Sequence, residues 1–504
     1  MKMLAPLEDY VFLTDPDGVK IFLVERTGEI FEQSLYAEPA YRRRTQKQRA
    51  VFNWRNELSG PCRWQWRKGF LPVLEIVSQE HLLELTVFEG HLLIRKDQQQ
   101  FIAFPLCSNG SELFGKALEK IEKKWEDFFR ISAVPPQLPG HDPNAWKSCF
   151  VQALSVFRYR HPRYGVGCYN YSIHDGFPPT VISMTDALLE CGHTQKAFEI
   201  LDYFLERFIT PEGLIDYYGP SLAEYGMILD LCGKLTNLPE AAELLLKHRR
   251  TLEKMGHYLI ALRNPWRNGS GNMEMRLLKG SPEADTRNEN LIWPHNNAWI
   301  LNGFRALSRI ARQLGCREWA AETAAEAEDL QEQLRQTLDR YKTVDGVVPY
   351  VIRDNFELKN FQSSMETTYA NYRYYPELLA SGILSREEAL KIIEARETMQ
   401  GELEGMTFFN YKVCLPDDPV APDYACDNWP ILCYGRKLAQ LGEKDRLLKV
   451  IEGHYRYHQT RDTFTAYEIV DADLPLRRAV TDWCVPAQLA YPGLLMAYRK
   501  MKEY

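Results

Sequence analysis

The chain of 504 residues is 45% hydrophobic, 26% charged and 12% aromatic, with a formal net charge of −7. That balance excludes a disordered, collagenous or coiled-coil protein, and no stretch reaches the ~20 uninterrupted apolar residues of a membrane helix. Acids and bases interleave along the chain, so neither a nucleic-acid nor a membrane surface is expected. The opening MKMLAPLEDYVF lacks the basic segment and long apolar core of a signal peptide. The 11 cysteines are scattered singly, with no CxxC or CxxH pair. They read as reduced core residues of a cytoplasmic protein, with no metal site and no cofactor expected.

Residues 1–110 read as strands. YVFLTDPDGVKIFLVE is two apolar runs around a Pro-Asp-Gly turn, a hairpin signal. LPVLEIV, LLELTVFEG and HLLIRKDQQQFIAF follow, rich in branched residues and bounded by turn formers. The basic segment YRRRTQKQRAVFNWRN between them reads as a solvated loop or helix. An antiparallel β-sandwich-like domain is expected here. Residues 111–139 then form a helical linker, GSELFGKALEKIEKKWEDFFRIS, and a proline-rich break in AVPPQLPGHDP.

From 140 to 504 nearly every segment has helical periodicity. In HTQKAFEILDYFLERFI, for example, Ala197, Leu201, Phe204, Leu205 and Phe208 share one face. Short joints such as LLECGHTQKA and ARQLGCREWA carry a helix-ending glycine. Six other joints, near 159–179, 210–220, 263–291, 342–365, 401–426 and 460–481, are long and dense in Asp, Glu, Trp, Tyr and Pro. Short and long joints alternate, which places all long loops at one end of a set of antiparallel helix pairs. Six such hairpins closing on themselves make an (α/α)6 barrel. An open helical solenoid shows the same alternation with more regular repeats.

Loops rich in aromatics and carboxylates suit a polyhydroxylated ligand, because sugar rings stack on Trp and Tyr while hydroxyls bind Asp, Asn, His and Arg. Glycoside hydrolysis needs two carboxyls, one protonated and one ionised. Glu283 and Asp285 lie in GSPEADTRNENLIWPHNNAW, where two neighbouring carboxyls repel and one is raised toward an acid role; an ordinary polar loop with Asp285 paired to Arg287 is the other reading. Glu468 in FTAYEIVDAD sits between Tyr467 and Ile469, a carboxylate in apolar surroundings that needs a partner or a use. His174 and Asp175, in YNYSIHDGFPPT, are placed to bind sugar hydroxyls or to form a turn. Tyr171, Trp266, Trp293, Trp429 and Trp483 complete the expected substrate contacts, with Asp482 near the start of the last helix. Glu224, in DYYGPSLAEYG, reads as a structural helix residue, and Asp427 in CDNWPILCYG as a cap.

At motif level, TAYEIVDAD followed by DWCVPAQLAYPGLL, and GSPEADTR with WPHNNAW, resemble the six-hairpin glycosidases, the group of glucoamylase, trehalase and the glucosidase part of glycogen-debranching enzymes. The resemblance covers 140–504 in layout. It implies Asp285, with Glu283 as the alternative, as general acid and Glu468 as general base. It also agrees with a β-sandwich ahead of the barrel. The Trp-Glu-Glu acid motif of glucoamylase and the trehalase signatures are absent. The implied activity is inverting hydrolysis of an α-linked oligosaccharide or disaccharide, with the two carboxyl groups about 6.5–9.5 Å apart. The alternatives are a sugar epimerase or isomerase, which wants paired histidines such as His174 and His295, and a non-catalytic carbohydrate-binding protein.

Overall fold

A computed structural model of the chain describes residues 4–15, 18–33, 38–43, 49–158, 160–268, 276–282, 289–472 and 477–503, leaving the side chains of 265–268 and 503 undescribed. Asp285 and Glu283 therefore lie outside the described residues, as does the side chain of Trp266.

The expected strands form two antiparallel sheets. The first runs in the order β1 (Val11–Thr14), β2 (Ile21–Val24), β3 (Glu29–Glu32) and β4 (Phe52–Asn53). The second is a meander of β5 (Arg63–Arg67), β6 (Leu71–Val77), β7 (Leu82–Phe88), β8 (His91–Lys96) and β9 (Gln100–Phe104). Side chains at every second position turn to one face. Phe22 and Val24 of the first sheet thus join Trp64, Trp66, Leu74, Ile76, Leu83, Leu85 and Ile94 of the second in one buried cluster. Each large apolar side chain removed from water contributes roughly 1.5–3 kcal/mol, so this shared core makes the pair a sandwich. Helix α1 (Gly110–Arg130) buries Leu113, Phe114, Ala117, Ile121 and Trp125, with Phe114 edge-on to Phe101 of β9. Residues 131–144, the proline-rich break, belong to no helix or strand.

Among the described residues, the helices of ten or more residues then follow in the order α2 (Ala145–Ser155), α3 (Pro178–Glu190), α4 (Thr194–Arg207), α5 (Leu222–Lys234), α6 (Arg249–Asn268), α7 (Pro294–Gln313) and α8 (Arg317–Tyr341). The series continues with α9 (365–380, wound wide over Ala370–Tyr374), α10 (Arg386–Thr398), α11 (Ile431–Leu441), α12 (Lys444–Gly453) and α13 (Val485–Glu503). The long joints precede α3, α5, α7, α9, α11 and α13, which is the alternation read from the sequence.

The chain divides into two compact units. The first comprises Met1–His174, Ala187–His193 and Leu403–Tyr504; the second, Asp175–Asp186 and Thr194–Glu402. In the first, β10 (Met406–Asn410), β11 (Tyr424–Asp427) and β12 (Ile469–Asp471) form antiparallel neighbours of one small sheet, placed in two of the long joints.

One expectation needs correction. The basic segment is not wholly solvated, because Arg43 is buried, 5% exposed, and ion-paired with Asp482.

Candidate active site

Glu468 immediately precedes β12, and Asp427 of β11 pairs with the next residue, Ile469. Successive side chains of an extended segment point to opposite sides. Tyr467 is turned inward and fully buried, its hydroxyl donating to the Tyr10 carbonyl and its ring 5.2 Å from that of Tyr10. Glu468 is turned the other way and is half-buried. Its amide donates to the Asp482 carbonyl at 3.2 Å, and its Oε2 accepts a hydrogen bond from the Tyr169 hydroxyl. The Tyr169 phenol is held well above its ordinary pKa, first by burial and then by the charge of Glu468, so it remains a donor. Tyr164 and His174 pack on Tyr169 with ring centroids 4.7 and 5.4 Å away. Burial, and after it the Glu468 charge, also raises the Cys484 thiol. The Glu468 carboxyl, set beside phenols, a half-buried imidazole and a buried thiol, is able to hold and activate one water or hydroxyl.

The backbone on both sides of this carboxyl is fixed by Asp482. Its side chain has no exposure. One oxygen accepts from the Tyr10 hydroxyl at 2.9 Å and pairs with Arg43; the other accepts the Cys168 amide at 2.9 Å, next to Tyr169. Gly167 makes room for it: at φ +65° a Cβ would lie 2.2 Å from the Asp482 oxygen. Burial alone would lower the Arg43 guanidinium, but the Asp482 charge and its hydrogen bond outweigh it and the pKa is raised. Asp482 therefore reaches the candidate base through its carbonyl and reaches Tyr169 through the Cys168 amide.

The remaining expected contacts are placed unevenly. In the first unit, Tyr171 is exposed, His174 is half-buried within the Tyr164–Tyr169 cluster, and Trp429 is 8% exposed near Asp427. Asp175 is half-buried and belongs to the second unit. Two tryptophans expected to stack on sugar are corrected to core residues. Trp483 is fully buried, with its Nε1 donating to Gln488 at 2.6 Å and its ring 4.6 Å from Phe12. Trp293 is fully buried against Tyr374, 5.0 Å away in the second unit. Both flank helix starts with apolar residues, where burial of 150–250 Å² of indole outweighs presentation to solvent.

The second unit holds a buried charge cluster that the sequence reading passed over. Arg373 donates to Glu224 at 2.6 Å and to Glu377 at 2.9 Å, all three almost without exposure. Glu224 also caps α5 by accepting the Ser221 amide at 3.1 Å. Two carboxyls share one guanidinium, and burial raises the Glu224 pKa to about 7. His295 stacks on Tyr374 at 5.0 Å, and burial followed by the Arg373 charge depresses it to about 3. It is neutral near pH 7. An Arg–Glu pair four apart inside the aromatic run YANYRYYPELLA was the available signal. Among the described residues no group of His, Cys, Asp and Glu side chains is arranged to hold a metal ion, and no helix is long and apolar enough to cross a membrane.

No family model and no curated protein matches the chain. Solved structures do resemble it. A bacterial glucoamylase complexed with acarbose is similar over 98% of this chain and 86% of its own, with a TM-score of 0.56 and 10% identity. A glycosidase matches 64% of this chain and 86% of its own at 13% identity and a TM-score of 0.42. An unsaturated glucuronyl hydrolase specific for heparin matches 66% and 88% at 11% identity and a TM-score of 0.40. The first likeness shows the fold: a mainly helical, glucoamylase-like (α/α)6 barrel preceded by a β-domain.

Proposed function

We propose that the protein is an inverting glycoside hydrolase acting on an α-linked oligosaccharide or disaccharide, with Glu468 as general base. The observation that carries this reading is the half-buried Glu468 carboxyl, held by the Tyr169 hydroxyl beside the rings of Tyr164 and His174, in a chain with the glucoamylase fold. In this role Glu468 takes a proton from the attacking water while its neighbours keep it oriented. The general acid is assigned to Asp285, with Glu283 as its alternative, in the sequence ahead of α7. Tyr171, His174, Asp175, Trp266 and Trp429 are the sugar-binding side chains in this proposal, and neither metal nor organic cofactor takes part.

The test is hydrolysis of a panel of aryl glycosides and natural disaccharides by wild type, Glu468→Gln and Asp285→Asn. Each variant is expected to lose about 10²–10⁴-fold in kcat with its fold intact, the usual contribution of a positioned acid or base. Proton NMR of the first product checks inversion, which requires an anomer opposite to that of the substrate. Full activity of Glu468→Gln overturns the assignment of the base. Absence of turnover by wild type on every substrate favours a non-catalytic carbohydrate-binding protein.

A further inference from the structure

Helix α12 ends in a widened turn over His454–His458, which leads into the long joint carrying Glu468. Such wide turns are rare and recur at functional sites. This one sets two imidazoles side by side, with the His454 and His458 ring centroids 5.2 Å apart. Neither side chain has any exposure. An imidazole so buried costs free energy unless its polar atoms find partners, whereas leucine or phenylalanine would fill such space without that cost.

The joint folds back here: Gln459 pairs with Ala466, so His458 stands opposite Tyr467. His458 Nε2 lies 2.8 Å from the Tyr467 carbonyl, which only accepts, so that nitrogen carries the proton. The Glu468 backbone lies within hydrogen-bonding reach of the same ring. The Glu468 amide donates to the Asp482 carbonyl at 3.2 Å. The peptide unit between Tyr467 and Glu468 is thus held at both polar atoms, its C=O by His458 and its N–H by Asp482. Because that unit is planar, fixing both atoms fixes the direction in which the Glu468 side chain leaves the backbone.

His458 is held in turn. Asn428 follows β11, and its Oδ1 accepts the Thr407 amide of β10 at 2.9 Å. Its amide nitrogen is therefore the donor to His454 Nδ1, at 3.1 Å. Burial first, then His454, holds His458 well below the ordinary imidazole value, and burial lowers His454 to about 3. Both rings stay neutral where a carboxylate base operates, and the single N–H of His458 remains on the Tyr467 carbonyl.

We propose that His458 is a positioning residue for Glu468: its Nε2–H, clamped on the Tyr467 carbonyl, aims the Glu468 carboxyl at the Tyr169 hydroxyl and at the water to be activated. This inference rests on the reading of Glu468 as general base. His458 touches neither substrate nor water in this role and acts only through the peptide that carries Glu468.

The test compares His458→Phe, which keeps a ring and loses the donor, with His458→Gln, whose amide nitrogen replaces Nε2 as donor. Circular dichroism of the full chain verifies that each variant is folded. Steady-state kinetics on a substrate that wild type hydrolyses is expected to show kcat about ten- to a hundredfold lower in His458→Phe, KM unchanged, and recovery to within about threefold in His458→Gln. A purely structural role would lower the melting temperature and leave kcat per folded molecule as in wild type. With Glu468→Gln inactive, wild-type kcat in folded His458→Phe overturns this inference alone, as does a His458→Gln as slow as His458→Phe. Full activity of Glu468→Gln overturns the base reading, and this inference with it. A second measurement needs no substrate and no folded His458→Phe. Nitrogen-15 histidine labelling of wild type, with the His458 signal identified by its loss in either variant, is expected to show a neutral Nε2–H ring from about pH 5 to 8. A charged ring or the Nδ1–H tautomer overturns the proposal.

Discussion

Tyr169 and Glu468 lie 299 positions apart and share one hydrogen bond. Because burial and the Glu468 charge both raise the phenol, Tyr169 donates across the whole range of ordinary assays. Tyr169→Phe removes that donor and keeps the ring, so kcat is expected to fall about tenfold, the value of ~1.4 kcal/mol, with unchanged thermal unfolding. Equal kcat in steady-state kinetics would reduce Tyr169 to packing. Asp482 belongs to the same scale. Asp482→Asn keeps the shape but leaves Arg43 buried beside a neutral amide, and breaking a buried pair costs about 3–5 kcal/mol. Denaturant unfolding is expected to register that loss. An unshifted midpoint would mean that Tyr10 alone suffices to hold Arg43.

Between elements, glycines set how closely helices approach. A methyl added at Gly226 of α5 would meet the Trp299 backbone carbonyl of α7 at 2.1 Å, an atom that cannot move aside without shifting the helix. One added at Gly493 of α13 meets the Leu432 side chain of α11 at 2.7 Å, which can rotate. Gly226→Ala is therefore expected to destabilise by about 1–3 kcal/mol or more. Gly493→Ala is expected near neutral, since gained helix propensity of about 1 kcal/mol offsets the strain. Parallel thermal melts compare the two. Elements also meet at the Glu224–Arg373–Glu377 cluster. Glu224 is raised by burial, so the folded state binds more protons than the unfolded state between the ordinary carboxylate value of 4.5 and about 7. Its contribution to stability is present below that window and lost as pH rises through it. Unfolding free energy is expected to fall from pH 5 to 7, and Glu224→Gln to flatten that slope. An identical slope in the variant would mean that other groups carry it.

For the molecule as a whole, the β-domain is part of the fold that carries Glu468. Tyr10 and Arg43 supply the partners of Asp482, Leu7 bridges Arg477, and Trp66 donates to the Thr463 carbonyl at 2.6 Å. Expression of residues 140–504 alone is expected to give an aggregated product. A soluble fragment with cooperative unfolding would show the β-domain to be dispensable.

Local patterns in the sequence determined the classes of element and their order. Period-two apolar runs marked the strands, period-3.6 faces marked the helices, and turn chemistry separated short joints from long ones, because each of these forces acts within a few residues. Glu468 was legible for the same reason: a carboxyl between Tyr467 and Ile469 stands out in its immediate surroundings. What only the tertiary structure decided is which distant groups meet. Arg43 and Asp482 are 439 positions apart, so no periodicity announces that one basic residue in a polar segment is the buried counter-charge of another segment's acid. Trp483 and Trp293 read as loop aromatics until packing enclosed them, and Arg373 read as one base among many until two glutamates closed on it. Burial and pairing depend on the enclosing surface, which forms only when remote segments come together, and so they are decided by the folded molecule.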